Sequence, residues 1–321
     1  MNNGTVKKRI RGLVSKYGIY FAFLIMLALF SILNPKFLTL RNIINIVRQI
    51  TFNSILAMGM TMVIITGGID LSVGSVLALA AVVTATLVQA QAPLFPVPLA
   101  LLAGLLIGAV CGFINGIIVT KGKLAPFITT LVMMTIARGA AQLITKGRPI
   151  TGLVPGFVFI GGGSWLMIPV PIYILIFIVF ISYFILNNTR TGRYIYAVGG
   201  NEQAAKASGL KVDQTKCFVY VFSGIMASLV GLILAARLNS ATPILGASYE
   251  LDAIAAAVIG GTSMEGGRGK INRSLIGGLI IGTISNGLDI LNVSAYWQQI
   301  IKGLIILVAV FLDKASAGSK E

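Results

Sequence analysis

The chain has no histidine, two cysteines and nine acidic residues among its 321. Each shortage removes a class of chemistry. A serine or cysteine nucleophile would have no imidazole base, and the scattered acids assemble no evident pair for acid–base work. Cys111 and Cys217 stand far apart within apolar segments, so they form neither a metal-binding spacing nor a disulfide framework. Charge is scarce as well: 11% of residues are charged, against about 25% in soluble domains.

What is abundant is apolar surface. Hydrophobic residues make up 56% of the chain and the mean hydropathy is +0.93. One water-soluble core cannot hide that much, whereas lipid can solvate it. The expected fold is all-α, a polytopic transmembrane helical bundle forming one domain over residues 1–321. The net charge of +16 does not point to nucleic acid, because the basic residues sit in short loops between apolar runs.

A bilayer core takes about 20 apolar residues of helix. On that rule ten spans are predicted, at 17–34, 52–66, 72–90, 97–119, 126–144, 169–187, 215–236, 252–262, 274–291 and 295–312. The first is read as retained. Its apolar run is long for a signal peptide, and it ends in Asn34-Pro35-Lys36 instead of a small-residue cleavage site. The second and eighth are short and run into glycine-rich stretches, Thr66-Gly67-Gly68-Ile69-Asp70 and Gly260-Gly261-Thr262-Ser263. Such interrupted segments predict broken or re-entrant helices, which would alter the count and the downstream sidedness.

Placing the N-terminus inside puts Lys121, Lys123, Arg190, Arg193, Lys206, Lys211, Lys216, Arg268, Lys270 and Arg273 in inside loops. The basic N-terminus (1–16) and the tail (313–321) join them, while Lys36, Arg41, Arg48, Lys146, Arg148 and Arg237 fall outside. The bias predicts that both termini are cytoplasmic.

Gly104, Gly108, Gly112 and Gly116 recur every four residues, as do Ser274, Gly278 and Gly282. Each series makes a smooth ridge for a second backbone, either within one subunit or at an interface or moving seam. The longest polar stretch, 188–214, holds a short helix with written ends. Asn201 is an N-cap, Glu202 sits in the first turn, Lys206 lies toward the other end, and Gly209 suits a left-handed C-cap. Ala204 and Ala205 keep it thin enough to enter a groove on a partner.

In the glycine-rich break after the second span, Gly67 and Gly68 permit a sharp turn. Asp70, with Ser72 nearby, either caps the next helix or lines a pathway or gate. Tyr249, Glu250 and Asp252, read as preceding the eighth span, either cap it or face a permeant or a partner. Arg138 and Lys302 fall within spans, with Asp289 as a possible partner for one of them. Asn53, Asn115, Asn286, Gln298 and Gln299 are available to a ligand or to a neighbouring helix. The glycine- and proline-rich segment 146–169 is either a docking surface or a linker.

Glu202, Ala204, Ala205 and Gly209 resemble the Glu-Ala-Ala…Gly cytoplasmic loop of ATP-binding cassette import permeases. Gln203 stands where the general motif has its first alanine, and the glycine comes one residue later. The wider chain is similar to the ribose permease family through the blocks 66–75, 192–202 and 249–262. The resemblance runs from about residue 35 to 312. It implies a multi-pass subunit of the bacterial plasma (inner) membrane that works as a pair with a second copy of itself. A cytosolic ATPase with two nucleotide-binding domains would dock on the 188–214 loop, and an external binding protein would deliver a monosaccharide, with ribose the leading expectation. This chain would bind no cofactor, ATP and magnesium being held by the ATPase. The chain agrees in lacking a Gly-x-x-x-x-Gly-Lys-Ser/Thr phosphate loop; Gly122-Lys123-Leu124 and Gly269-Lys270-Ile271 lack the hydroxyl.

Three other readings are weaker. An ion-coupled secondary transporter asks for a relay of intramembrane acids or histidines. A membrane-embedded enzyme asks for a catalytic set. A branched-chain amino-acid permease of the same broad family fits less well at the blocks around Gly67 and Tyr249. Another pentose, a hexose or a sugar-like signal remains open as cargo.

Overall fold

The computed structural model describes the backbone of residues 3–317, and side chains for residues 18–308, 310 and 311. The side chains of the basic N-terminal segment, including Lys7, Lys8, Arg9, Arg11 and Lys16, and the end of the tail lie outside the described residues. Thirteen helices run in order among the described residues, and ten of them overlap the predicted spans. These ten are α1 (Asn3–Leu33), α2 (Leu40–Ile65), α3 (Val73–Leu87), α4 (Val97–Thr120), α5 (Pro126–Thr145), α7 (Val170–Asn188), α10 (Val212–Leu238), α11 (Tyr249–Ile259), α12 (Ile271–Ile290) and α13 (Ala295–Ala317). The connecting helices are α6 (Pro155–Gly162), α8 (Arg190–Gly200) and α9 (Glu202–Ala207). Among the described residues five helices, α2, α4, α5, α7 and α10, are long and apolar enough to cross a membrane by themselves.

The distribution of hydropathy among these helices is what a bilayer demands. In α4 and α7 the most apolar windows have mean hydropathies of 2.5 and 2.4, yet only 28% and 22% of their residues are buried. In α2 the window value is 1.2 and 89% is buried. A protein in water would put its most apolar helices at the centre. Here α4 and α7 turn most of their apolar surface outward, as hydrocarbon permits, while α10, with a value of 2.3, is 72% buried beside α2.

Two readings of helix length are corrected. The second span is not short: α2 begins at Leu40 and runs 26 residues, because Arg41, Asn42, Arg48 and Gln49 are carried on the same helix as the apolar run. Only α11, with 11 residues, is a short segment of the kind expected. Tyr249, Glu250 and Asp252 do not precede that helix but form its first turn.

The glycine ridge of α4 lies on α10 in the same chain. A Cβ at Gly108 would collide with the Gly224 carbonyl, one at Gly112 with the Tyr220 carbonyl, and one at Gly116 would come within 2.7 Å of Cys217 Cα. Gly104 meets Thr84 and Leu232. The second ridge seats α12 against α2, with Gly278 on Ser54 and Gly282 on Ile50, while Ser274 backs Gly260 beyond α11. Backbones this close gain dispersion contacts that larger side chains would prevent.

The segment 146–169 is folded and is not a bare linker. Strand β1 (Ile150–Thr151) pairs antiparallel with β4 (Ser240–Ala241), and β2 (Ser164–Trp165) pairs with β3 (Ile168–Pro169). Between them α6 buries Phe157 completely, and Gly161 rests on the α10 backbone at Ile233 and Arg237. The loop's own polar backbone is thereby satisfied, including Leu153 N–H, which donates to Asn239 Oδ1 at 2.8 Å.

Candidate coupling loop and polar cavity

At one end of the bundle three connections meet. Gly267 N–H donates to the Ile65 carbonyl at 2.8 Å, and Gly199 lies against that same carbonyl with no room for a Cβ. Tyr196 Oη donates to the Gly269 carbonyl at 2.7 Å, and burial pushes its phenol above the usual range, which keeps the donor protonated. The α2–α3 break, α8 and the loop before α12 therefore form one base.

On this base α9 stands outward. Asn201 Oδ1 accepts from Ala204 N–H at 2.9 Å, as an N-cap should. At the other end Gly209 has φ +78°, its N–H donates to the Lys206 carbonyl at 3.0 Å, and Leu210 N–H reaches the Ala205 carbonyl at 3.1 Å. Only a residue without a Cβ takes that turn without strain. Ala205 is buried against Val198, Val212 and Leu210, whereas Asn201, Glu202, Gln203, Ala204, Lys206, Ala207 and Ser208 are exposed. Glu202 is tied to Lys216 on α10 by an ion pair of 2.6 Å. The thin helix is anchored by Ala205 and by this ion pair, and its other side chains are exposed.

Asp70 lies deep in the protein, 1% exposed. Its Oδ1 accepts from Ser72 N–H at 3.0 Å and Ser72 Oγ at 2.6 Å, and its Oδ2 accepts from Ser223 Oγ at 2.8 Å. Asn115 donates to Ser72 Oγ at 3.0 Å. The carboxylate joins the α2–α3 break to α4 and α10. Ser72, not Asp70, occupies the N-cap position of α3, and Asp70 closes the turn just before it. Gly67, with φ +77°, makes the break, and Gly68 packs against Tyr220.

Near the opposite end α2, α10, α11, α12 and α13 enclose a polar cavity of about 240 Å³. Among the expected residues Asn53, Tyr249 and Asp252 line it; Gly67, Gly68, Asp70, Ser72 and Glu250 do not. Glu250 instead lies against Gly74 of α3. Lys302 Nζ meets Asp252 Oδ2 at 2.7 Å across the cavity wall. Asp289 is therefore not the partner of either intramembrane cation. It accepts from Gln49 at 3.0 Å and Gln298 at 2.9 Å, while Arg138 donates to the carbonyls of Pro243 and Leu245 at 2.6 and 2.9 Å. Asn286 and Asn42 bond each other reciprocally, at 2.9 and 3.0 Å.

Gln49, Arg237 and Ser285 also line the cavity and were not singled out as site residues by the sequence. A signal was present. Gln49 with Asn53, Ser285 with Asp289 and Gln298 with Lys302 are spaced four apart, and Tyr249 with Asp252 three apart, so each pair shares one helix face.

A small exposed helix thus stands at one end of an all-helical bundle of membrane-protein composition, and a polar cavity lies near the other. Residues 42–310 match the family model described as branched-chain amino acid transport system / permease component, and the chain belongs to that family. Among its relatives, the ribose import permease protein of Haemophilus influenzae is 48% identical over 98% of this chain and 97% of its own. The ribose import permease protein of Bacillus subtilis is 49% identical over 97% of each. The D-allose transport system permease protein of Escherichia coli is 42% identical over 93% of this chain and 91% of its own. No solved structure matches.

Proposed function

We propose that this chain is the membrane-spanning subunit of an ATP-driven importer of a monosaccharide, with D-ribose as cargo. The observation that carries the reading is the near-full-length identity of 48–49% to ribose import permeases, above the 42% to the D-allose system. In this reading the chain crosses the plasma membrane ten times with both termini inside. The end bearing α8 and α9 is cytoplasmic, and the end bearing β1–β4 is external. A second copy completes the pathway, a cytosolic ATPase docks on Asn201, Glu202, Ala204, Ala205 and Gly209, and an external binding protein delivers the sugar. ATP and magnesium stay on the ATPase. The capped, outward-facing geometry of α9 supports the docking role, since a helix held by the buried Ala205 and the Glu202–Lys216 ion pair, with its other side chains exposed, can fill a partner's groove and pass its movement to α8 and α10.

Purification of the chain from its native membrane in mild detergent, with identification of the copurifying proteins, tests the assembly. Uptake of labelled ribose, allose and galactose by cells lacking their own permeases tests the cargo. A near-stoichiometric ATPase with phosphate-loop motifs and preferential ribose uptake are expected. Uptake that follows the proton or sodium gradient with no associated ATPase would replace this reading with secondary transport.

A further inference from the structure

The polar cavity between α2, α10, α11, α12 and α13 contains hydrogen-bonding groups left without partners. Asn53 is 5% exposed overall, yet its amide makes no hydrogen bond among the described residues and lines the cavity. Tyr249 lines it too, and its hydroxyl makes no hydrogen bond among the described residues. Arg237 meets no carboxylate within ion-pair distance among the described residues; its guanidinium rests over the Phe52 ring, 5.6 Å from the centroid. Polar groups at membrane depth are costly unless satisfied. Yet here an amide, a phenol and a guanidinium line one space, beside the Asp252–Lys302 pair and the Gln49 and Gln298 amide N–H groups that donate to Asp289, while Gln49 Oε1 and Ser285 Oγ on the same wall have no partner among the described residues.

The charges of the wall balance, Arg237 and Lys302 against Asp252 and Asp289, which favours a neutral guest over an ion. The free groups include both donors and acceptors, which suits hydroxyls, since each hydroxyl both gives and takes a hydrogen bond. Tyr249 and Phe52 add aromatic surface for C–H groups. The volume of about 240 Å³ falls below the roughly 300–1,000 Å³ of sites for drug-sized ligands, so the guest is small.

We infer that this cavity is a binding site within a single permease chain for one neutral monosaccharide, a station on the route inward, with Asn53, Tyr249 and Arg237 as the contacting groups. This rests on the importer reading. The site holds sugar weakly, because few groups grip it and release must follow.

The test uses the complete importer in vesicles, with binding protein and ATPase. The wild-type chain is assayed first, and failure to import any monosaccharide would overturn the importer reading and this site with it. With import established, Asn53→Ala and Tyr249→Phe are each expected to lower the uptake rate about tenfold, the effect of one lost hydrogen bond at the upper end of its usual range. Equal copurified ATPase shows that a variant is folded and assembled. Tyr249→Phe keeps the ring and so serves where Asn53→Ala does not fold. Independently, in a Cys217→Ser background with Cys111 buried, the thiol introduced by Asn53→Cys is labelled by a small neutral reagent. Sugar delivered by the binding protein should slow that labelling at least fivefold. Uptake within twofold of wild type in both substitutions, or labelling unaffected by sugar, overturns the site while leaving the importer reading intact.

Discussion

Replacing Lys302 by methionine removes the cation that faces Asp252 and leaves a carboxylate whose side chain is 4% exposed. The pair is close, at 2.7 Å, and it joins α13 to α11 at a depth where water is scarce. Breaking a buried pair by deleting one member costs about 3–5 kcal/mol, because the remaining charge stays desolvated. Lys302 is itself 19% exposed, so some solvent already reaches the pair and the expected loss is about 2–4 kcal/mol. Asp252→Asn should cost less, about 1–2 kcal/mol, since the lysine's long stem can carry its ammonium toward the open side. The double substitution, Asp252→Asn with Lys302→Met, leaves no charge to desolvate and should fall within about 1 kcal/mol of wild type. Denaturant titration of the purified chain in detergent micelles, followed by its helical circular dichroism signal, measures all four corners of the cycle. Strictly additive single effects, or a Lys302→Met loss under about 0.5 kcal/mol, would refute the claim that this pair is electrostatically coupled at low solvation.

Gly209→Val forces a β-branched residue into φ +78°, a strain of about 1–2 kcal/mol or more at the end of a six-residue helix. Membrane insertion should be normal while the copurified ATPase and the uptake rate both fall; retention of both would remove α9 from the coupling path. Asp70→Ala leaves Ser72 N–H, Ser72 Oγ and Ser223 Oγ facing an empty space, at about 1–3 kcal/mol for each buried group unsatisfied. Asp70→Asn keeps an acceptor in place and should be far milder, and equal thermal stabilities of the two variants would show that the carboxyl group is not the tie between α3 and α10.

Much of the fold was legible because hydrocarbon imposes a simple rule on sequence. Each of the ten apolar runs overlaps a helix, five of them long and apolar enough to cross a membrane, and the ends of α9 were written in Asn201 and Gly209 because capping depends on neighbours in the chain. The same rule misled at α2. Its first turns carry Arg41, Asn42, Arg48 and Gln49, so hydropathy alone placed the start at 52, whereas Asn42 is buried against Asn286 and Gln49 is bonded to Asp289 on α12.

The sequence by itself determined the class of protein, the capped ends of α9 and the glycine spacing along α4 and α12, since each is a local or periodic property. Only the tertiary structure decided that the α4 ridge faces α10 of the same chain, that Lys302 answers Asp252 and not Asp289, and that Asn53, Tyr249 and Arg237 look into one space. Those pairings join residues from distant helices. A helix face fixes which residues travel together, but which faces meet is set by the packing of the whole bundle.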